Sequence, residues 1–418
     1  MPLLVSVLAL PAMLEAQTAP AAGSKSAASS PAPLAPLIPA NRANDVLFWS
    51  PERRLAAFSA METVVATRII AAGTAPRALE QGPPLVFGDE LTGFAGRDFN
   101  AFMIQQNMAA VLVIHNGRVR LERYAPGYGP ETRWSTFSVA KSITSTLVGA
   151  ALRDGAIKSL DDRVTQYLPA LSGSAYDDVT VGQLLTMTSG VAWSENYTSR
   201  SSDVARFLTL KPLAGRDVAV EYMRGLKREV PPGTRFRYNT GETTLTGLVV
   251  ANATGKPLAD YLSEKIWKPA GMERDAIWAL DENGREIGGC CISATARDLA
   301  RFGRFMLEDG SANGDRKLPD NWVRDSTRWI STVDPKGLGY GYQWWVYRYG
   351  GYEAKGIFGQ SVYIDKPRNL VVVTLAAWPS IDGGKGRPLA QLRWLGAVQS
   401  AILREEAGIS TPDLNFTP

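Results

Sequence analysis

Strand-forming runs in this chain gather at its two ends, and this distribution restricts the possible folds more than any other feature. Toward the N-terminus, "AAVLVIHNGRVRLERY" (109–124) alternates on either side of Asn116-Gly117, a dipeptide that closes a two-residue hairpin because both positions tolerate positive φ. Toward the C-terminus, "YQWWVYRY", "EAKGIFGQ", "SVYIDK" and "LVVVTLAAW" read as strands, and an amphipathic helix follows from Pro388 to Arg404. The stretch from Asp161 to about Leu307 is helical and loop-rich, and a further helix is expected over Pro51 to Gly73. Strands at both ends with helices between them imply an α+β fold: one antiparallel sheet closed by the two chain ends, beside an inserted helical domain. On this reading 41–160 and 311–418 are the two parts of the sheet domain and 161–310 is the mainly helical one, with a cleft at their junction.

The first forty residues read differently. Residues 1–16, within "MPLLVSVLALPAMLEAQ", form a short apolar run ending in Leu14-Glu15-Ala16, like the core and cleavage site of a secretory signal peptide, although no Lys or Arg precedes it. A periplasmic or secreted location is the expectation. Residues 17–40 are rich in Ala, Pro and Ser and read as a disordered tether. No other stretch approaches the ~18 apolar residues that would span a bilayer, so stable membrane insertion is not expected. A net charge of +4 over 418 residues, with no long run of like charges, argues against a nucleic-acid partner. The expected partner is a small molecule or peptide.

Scarcity of imidazole and thiol narrows the chemistry further. The only histidine is His115, at the predicted hairpin tip. A Ser-His-Asp hydrolase would have to use it, yet no Gly-x-Ser-x-Gly elbow exists; the nearest match, "GQSVY" at 359–363, lacks the second glycine. One histidine and two adjacent cysteines cannot furnish a usual zinc ligand set either, and no cofactor is expected. Cys290 and Cys291 are neighbours, and adjacent cysteines rarely pair and close no useful loop. They are expected to be two small core side chains without a redox role.

Within "STFSVAKSITSTLVGAALRDG", Val139, Ala140, Ile143, Leu147, Val148, Ala150 and Ala151 surround the axis, which predicts a helix buried on most sides from about Ser138. Lys141 is an ammonium inside that apolar helix. Residues three apart share a helical face, so the Ser138 hydroxyl and the Lys141 amine can meet. Among the lysines of the chain, only Lys141 has a serine three positions before it. Desolvation lowers a lysine pKa, and bringing it from ~10.4 to the roughly 7–8 useful for a base costs about 4 kcal/mol, which a buried helix can impose. A neutral Lys141 could then take the Ser138 proton as the hydroxyl attacks a carbonyl carbon. Placing Ser138 at the first turn also directs the positive end of the helix dipole at the developing oxyanion.

At this point the sequence resembles the serine beta-lactamase and penicillin-binding superfamily, whose first motif is Ser-x-x-Lys on a buried helix. A second element, Tyr-x-Asn or Tyr-x-Ser, is matched in part by Tyr238-Asn239-Thr240 in "PPGTRFRYNTGETTLTGLVV". The third, Lys/His-x-Gly on an inner strand, falls at Ala354-Lys355-Gly356. Within the superfamily the sequence is most similar to the 6-aminohexanoate-dimer (nylon-oligomer) hydrolases and related carboxylesterases, on "TVGQLLTMTSGVAWSENY", "ISATARDLARFGRFML", "YGYQWWV" and "GIFGQSVYID". With the motifs, these stretches cover roughly residues 44–407. The resemblance implies a beta-lactamase/transpeptidase-like fold, with Ser138 as acylated nucleophile, Lys141 as its base and Tyr238 passing the proton to the leaving atom. It further implies an oxyanion hole made by the N–H groups of Ser138 and Ile357, and substrate contacts from Tyr197, Thr240 and Gly356.

Departures from the superfamily pattern bear on the substrate. Thr240 stands where true beta-lactamases have Asn, and a hydroxyl cannot donate and accept across the same span. Ala354 stands where penicillin-recognising members have a cation for the substrate carboxylate. Lys355 would face the opposite way on a strand, unless the alignment slips by one and makes it the motif lysine. Trp193, Trp344 and Trp345 are candidates to line an acyl pocket, Trp344 among the substrate-binding residues, although adjacent strand residues face opposite sides. The expected activity is that of a serine hydrolase on small esters or linear amides. Alternatives are a beta-lactamase or D-amino-acid peptidase on cell-wall peptides, and a binding or sensor protein that is acylated without turnover.

Overall fold

A computed structural model of the chain describes residues 45–88, 99–211, 214–348, 350–381 and 387–409. The apolar run at 1–16 and the tether at 17–40 lie outside these described residues.

The strands, in chain order, begin with β1 (Thr67–Ile70), β2 (Met108–His115), β3 (Arg118–Tyr124), β4 (Arg133–Ser135), β5 (Ala276–Ala279) and β6 (Ile292–Thr295). They continue with β7 (Ser311–Ala312), β8 (Asp315–Arg316), β9 (Ser331–Asp334), β10 (Leu338–Tyr340) and β11 (Trp345–Tyr347). The last are β12 (Tyr352–Lys355), β13 (Ser361–Asp365) and β14 (Leu370–Ala376). Four helices matter most to the site: α1 (Val139–Arg153), α2 (Thr240–Thr254), α3 (Ala296–Leu307) and α4 (Arg387–Glu406).

The main sheet has eight strands among the described residues, in the order β3-β2-β14-β13-β12-β11-β10-β9, all paired antiparallel. The β2–β3 hairpin turns at Asn116 and Gly117, with φ of 52° and 76° as a tight two-residue turn demands. Because β14 pairs with β2, the two chain ends close one sheet, as the distribution of strand-forming runs predicts. Strands β2, β13 and β14 are buried along their whole lengths, which fits runs such as "AAVLVI" and "LVVVTLA" that are apolar on both faces. Helix α3 packs on β2, β13 and β14. Helix α4 seats Trp394 among Phe87, Phe99 and Phe102. No helix of the described residues is long and apolar enough to cross a membrane.

Two expectations are corrected. The helix expected over Pro51 to Gly73 ends at Ala57, and Thr67–Ile70 is instead strand β1, paired with β5. The central stretch is also not purely helical, since β5 and β6 join β1 and β4 in a second sheet of order β1-β5-β6-β4. These strands are only three or four residues long, and their pairing partners lie up to about two hundred residues away, so no local alternation announces them. The second sheet positions the site, because β4 leads straight into the turn before α1.

Candidate active site

Helix α1 begins at a constrained turn. The Thr136 amide and hydroxyl both donate to the Ile292 carbonyl at the start of β6, each at 2.8 Å. Phe137 follows with φ of 50°, a left-handed conformation uncommon for a bulky residue, and its ring is held between Phe58 and Phe358 with centroids 4.7 and 4.9 Å away. Ser138 then occupies the N-cap position of α1 while Lys141 lies within the first turn.

Three-residue spacing does bring the two side chains together, with Lys141 Nζ 3.0 Å from Ser138 Oγ. The amine is 1% exposed, so its hydrogen-bond partners are protein atoms. It also donates to the Gly289 carbonyl at 2.7 Å and lies 5.1 Å from the centroid of the Tyr238 ring. Gly289 has to be glycine for this contact: a Cβ there would fall 2.6 Å from the Thr240 carbonyl oxygen. Burial lowers the Lys141 pKa to about 8, and the carboxylate of Glu195 works in the opposite direction.

Tyr238 completes a polar triangle with this pair. Its ring stacks on Trp345 at 5.5 Å and meets Tyr340 edge-on at 6.0 Å. Burial, reinforced by the Glu195 charge, pushes its phenol well above the usual tyrosine range, while a hydrogen bond with Ser138 opposes the shift. At neutral pH the phenol is therefore a proton donor, whereas the Lys141 amine is readily made neutral.

The Glu195 carboxylate does not emerge from sequence reasoning, although it sits inside the quoted "WSENY" stretch. It accepts from the Thr240 amide at 3.1 Å, the Tyr197 hydroxyl at 2.6 Å, the Thr240 hydroxyl and the Trp193 indole. A carboxylate between two aromatic residues was the available signal, because such a group needs several donors to be desolvated. Tyr197, Thr240 and Trp193, expected as substrate contacts or pocket lining, each donate a hydrogen bond to Glu195. Asn239 is the N-cap of α2, accepting from the Glu242 amide at 3.0 Å, and is buried.

The end of β12 closes the other side. Gly356 approaches the turn before Ser138 so closely that a Cβ would lie 2.6 Å from the Thr136 carbonyl oxygen. Within the following turn the Gly356 and Phe358 amides donate to Gln360 at 2.8 and 3.1 Å. The amides of Ser138 and Ile357 donate to no protein acceptor among the described residues, which leaves two N–H groups for a developing oxyanion.

Lys355 lies on the strand face opposite Ala354, the face that carries Trp345, and its ammonium is 3.9 Å from Glu353. Trp344 is a correction: it is fully buried, stacked on Phe302 and edge-on to Tyr352, so it is a core residue and not a substrate contact. Its neighbour Trp345, on the other face, is the one that reaches Tyr238. Cys290 and Cys291 are buried as expected, with their sulfurs in contact. Cys291 has a left-handed backbone, φ 76°.

Comparison with known proteins gives concordant results. The Beta-lactamase family model matches residues 99–392. A 6-aminohexanoate-dimer hydrolase of Paenarthrobacter ureafaciens is 32% identical over 291 residues, covering 65% of this chain and 73% of that protein. A beta-lactamase of Pseudomonas fluorescens is 28% identical over 184 residues, or 42% of this chain and 48% of that protein. Among solved structures, a Bacillus anthracis protein described as a 6-aminohexanoate-dimer hydrolase superposes with a TM-score of 0.74 at 23% identity, covering 86% of this chain and 95% of that one. EstCE1, a hydrolase with promiscuous acyltransferase activity, superposes with a TM-score of 0.57 at 17% identity, covering 74% and 97%. At these identities the two structures speak for the fold alone.

Proposed function

The chain belongs to the beta-lactamase family, and on that premise we propose that it is a serine hydrolase acylated at Ser138 by small esters or linear amides. The observation that carries this reading is the buried Lys141 amine, 3.0 Å from the Ser138 hydroxyl and with a pKa near 8. In the proposed reaction Lys141 takes the hydroxyl proton as Oγ bonds to the carbonyl carbon. The C=O electron pair moves to oxygen, where the Ser138 and Ile357 amides receive it. Glu195 favours the ammonium that Lys141 becomes. Tyr238 gives its proton to the departing alcohol or amine and regains one from Lys141, and water then hydrolyses the ester at Ser138.

Substrate class follows from the charges around the pair. Ala354 offers no cation, Lys355 is paired with Glu353, and the Thr240 hydroxyl is engaged by Glu195. A substrate carboxylate would thus meet the Glu195 charge with no cation at position 354, which disfavours beta-lactams and D-Ala-D-Ala peptides. The relative that is a 6-aminohexanoate-dimer hydrolase supports a linear amide as one substrate type. The test is a panel of p-nitrophenyl esters, 6-aminohexanoate dimer, a D-Ala-D-Ala peptide and a chromogenic cephalosporin, run beside labelling with a fluorophosphonate. Esters are expected to turn over fastest and the cephalosporin slowest, with the label on Ser138. Label on another serine, or a burst of one equivalent without further turnover, would reject the reading.

Gly356→Ala is a second test. The added methyl would meet the Thr136 carbonyl, a backbone atom fixed by the β4–β6 region, and would push the Ile357 amide away from Ser138. A displacement of that kind is expected to lower kcat on a p-nitrophenyl ester on the order of 10²-fold while KM changes little. An unchanged kcat would remove Ile357 from the oxyanion hole.

A further inference from the structure

Gln343, which the reaction above does not use, is a polar side chain 1% exposed in the turn between β10 and β11. Its φ is 64°, a left-handed backbone that a non-glycine residue keeps only where its surroundings fix it. Here they do. The side-chain Nε2 donates to the Leu184 and Leu185 carbonyls, at 3.0 and 3.2 Å, where the helical turn Val181–Leu185 ends. Oε1 accepts from the Thr243 hydroxyl, in the first turn of α2, at 2.8 Å. The backbone N–H donates to the Leu185 carbonyl at 3.1 Å, and the Gln343 carbonyl accepts from the Ser142 hydroxyl of α1 at 2.6 Å. Two carbonyls on one side leave a single orientation for the side-chain amide, because only its nitrogen can donate to them.

Each of these contacts leads to a member of the site. Ser142 is the residue after Lys141, so the Gln343 carbonyl holds the turn of α1 that carries the base. Thr243 lies three residues after Thr240, at the start of the helix that Tyr238 precedes. Leu185 is followed closely by Met187, also left-handed at φ 54°, and Met187 flanks Tyr238 on both sides: its carbonyl accepts from the Arg237 amide at 2.8 Å and its Sδ from the Asn239 amide at 3.4 Å. The Gln343 side chain therefore anchors both supports of Tyr238, while its backbone anchors the helix of Ser138 and Lys141. Leaving any of these buried groups without its partner costs more than the bond itself gains, so the segments keep one arrangement.

We propose that Gln343 is a positioning residue for proton delivery, holding Tyr238 in register with the Ser138–Lys141 pair so that the phenol reaches the leaving atom. This assignment rests on the Tyr238 role given above. In that step the C–O or C–N bond of the substrate breaks, the leaving atom keeps the bond's electron pair and takes the phenol proton, and the Lys141 ammonium returns a proton to the phenolate oxygen. Gln343 exchanges no proton and acts only through Tyr238.

Misplacing the phenol matters where the leaving group needs a proton. An alkoxide or an amide anion is expelled poorly without one, whereas p-nitrophenolate departs unaided. Loss of the Gln343 side-chain bonds should thus lower kcat/KM on an alkyl ester and an alkyl amide about 10²-fold, and leave it within about threefold on the p-nitrophenyl ester of the same acid. A purely structural role would lower all three by one factor, since it only reduces the folded fraction. kcat/KM reports acylation, the step in which the leaving group departs, so hydrolysis of the shared acyl-enzyme does not enter.

The experiment measures kcat/KM of the full chain on p-nitrophenyl butyrate, ethyl butyrate and N-ethylbutyramide, with circular dichroism on every variant. Gln343→Met keeps the side-chain length without its polar atoms. Thr243→Val removes only the α2 anchor, and it decides the question should Gln343→Met fail to fold. Both should show the selective loss on the alkyl ester and the amide, about tenfold or more for Thr243→Val, while Thr243→Ser keeps the hydroxyl and should retain the wild-type ratio of rates. A uniform loss across the three substrates in either variant, or an unchanged ratio in Thr243→Val, would overturn the proposal. Tyr238→Phe separates the two levels: a uniform effect there rejects Tyr238 as the proton donor and the parent reading with it, whereas a selective effect there beside unchanged ratios in the Gln343 and Thr243 variants rejects only the positioning role.

Discussion

Ser138→Ala will lower kcat on a p-nitrophenyl ester by roughly 10⁴-fold or more and abolish fluorophosphonate labelling, with the fold intact. The magnitude follows from removing the atom that forms the covalent intermediate, which leaves only the oxyanion donors and binding to act on the substrate. The fold should tolerate the change because Ser138 carries no side-chain helix-cap hydrogen bond, and its neighbours Thr136 and Phe137 fix the turn through other contacts. Circular dichroism and intact-mass labelling check both halves. Residual activity within tenfold of wild type would place the nucleophile elsewhere.

Lys141→Met should lower kcat about 10³-fold and at the same time stabilise the protein at neutral pH. The rate loss reflects a general base whose contribution is typically 10²–10⁴-fold. In the wild type, burial depresses the amine from 10.5 to about 8. A depressed folded pKa means that stability is highest above the unfolded pKa, declines as pH falls from about 10.5 toward 8, and bears the full penalty below that. The penalty is on the order of 3 kcal/mol for an amine this buried. Methionine removes it but leaves the Gly289 carbonyl without its donor, which costs about 1–2 kcal/mol. Guanidinium midpoints should therefore favour the variant by about 1–2 kcal/mol at pH 7, and the advantage should vanish as the pH approaches 10. A variant less stable than wild type at pH 7 would show that the amine is not desolvated.

Legibility in the sequence tracks the range of the interactions involved. The Ser138–Lys141 contact could be foreseen because it depends only on helical spacing. The hairpin at Asn116-Gly117 depends only on local φ preference, and the closure of the main sheet on strand runs at both chain ends. The "WSENY" stretch could mark Glu195 as a carboxylate among aromatic residues but not its nearness to Lys141, which requires that loop to meet the start of α2, 45 residues later. The choice between Trp344 and Trp345 turned on where β11 begins, a boundary that alternation alone does not set.

By itself, the sequence determined that a chain almost free of imidazole places an amine and an alcohol on one turn of an apolar helix, because covalent geometry and helical pitch are local properties. Tertiary structure alone decided how basic that amine is. Its desolvation, the Glu195 charge and the Gly289 carbonyl 148 residues away arise from segments that only packing brings together. Electrostatic energies depend on distance in space and on exclusion of water, and neither is encoded by proximity along the chain.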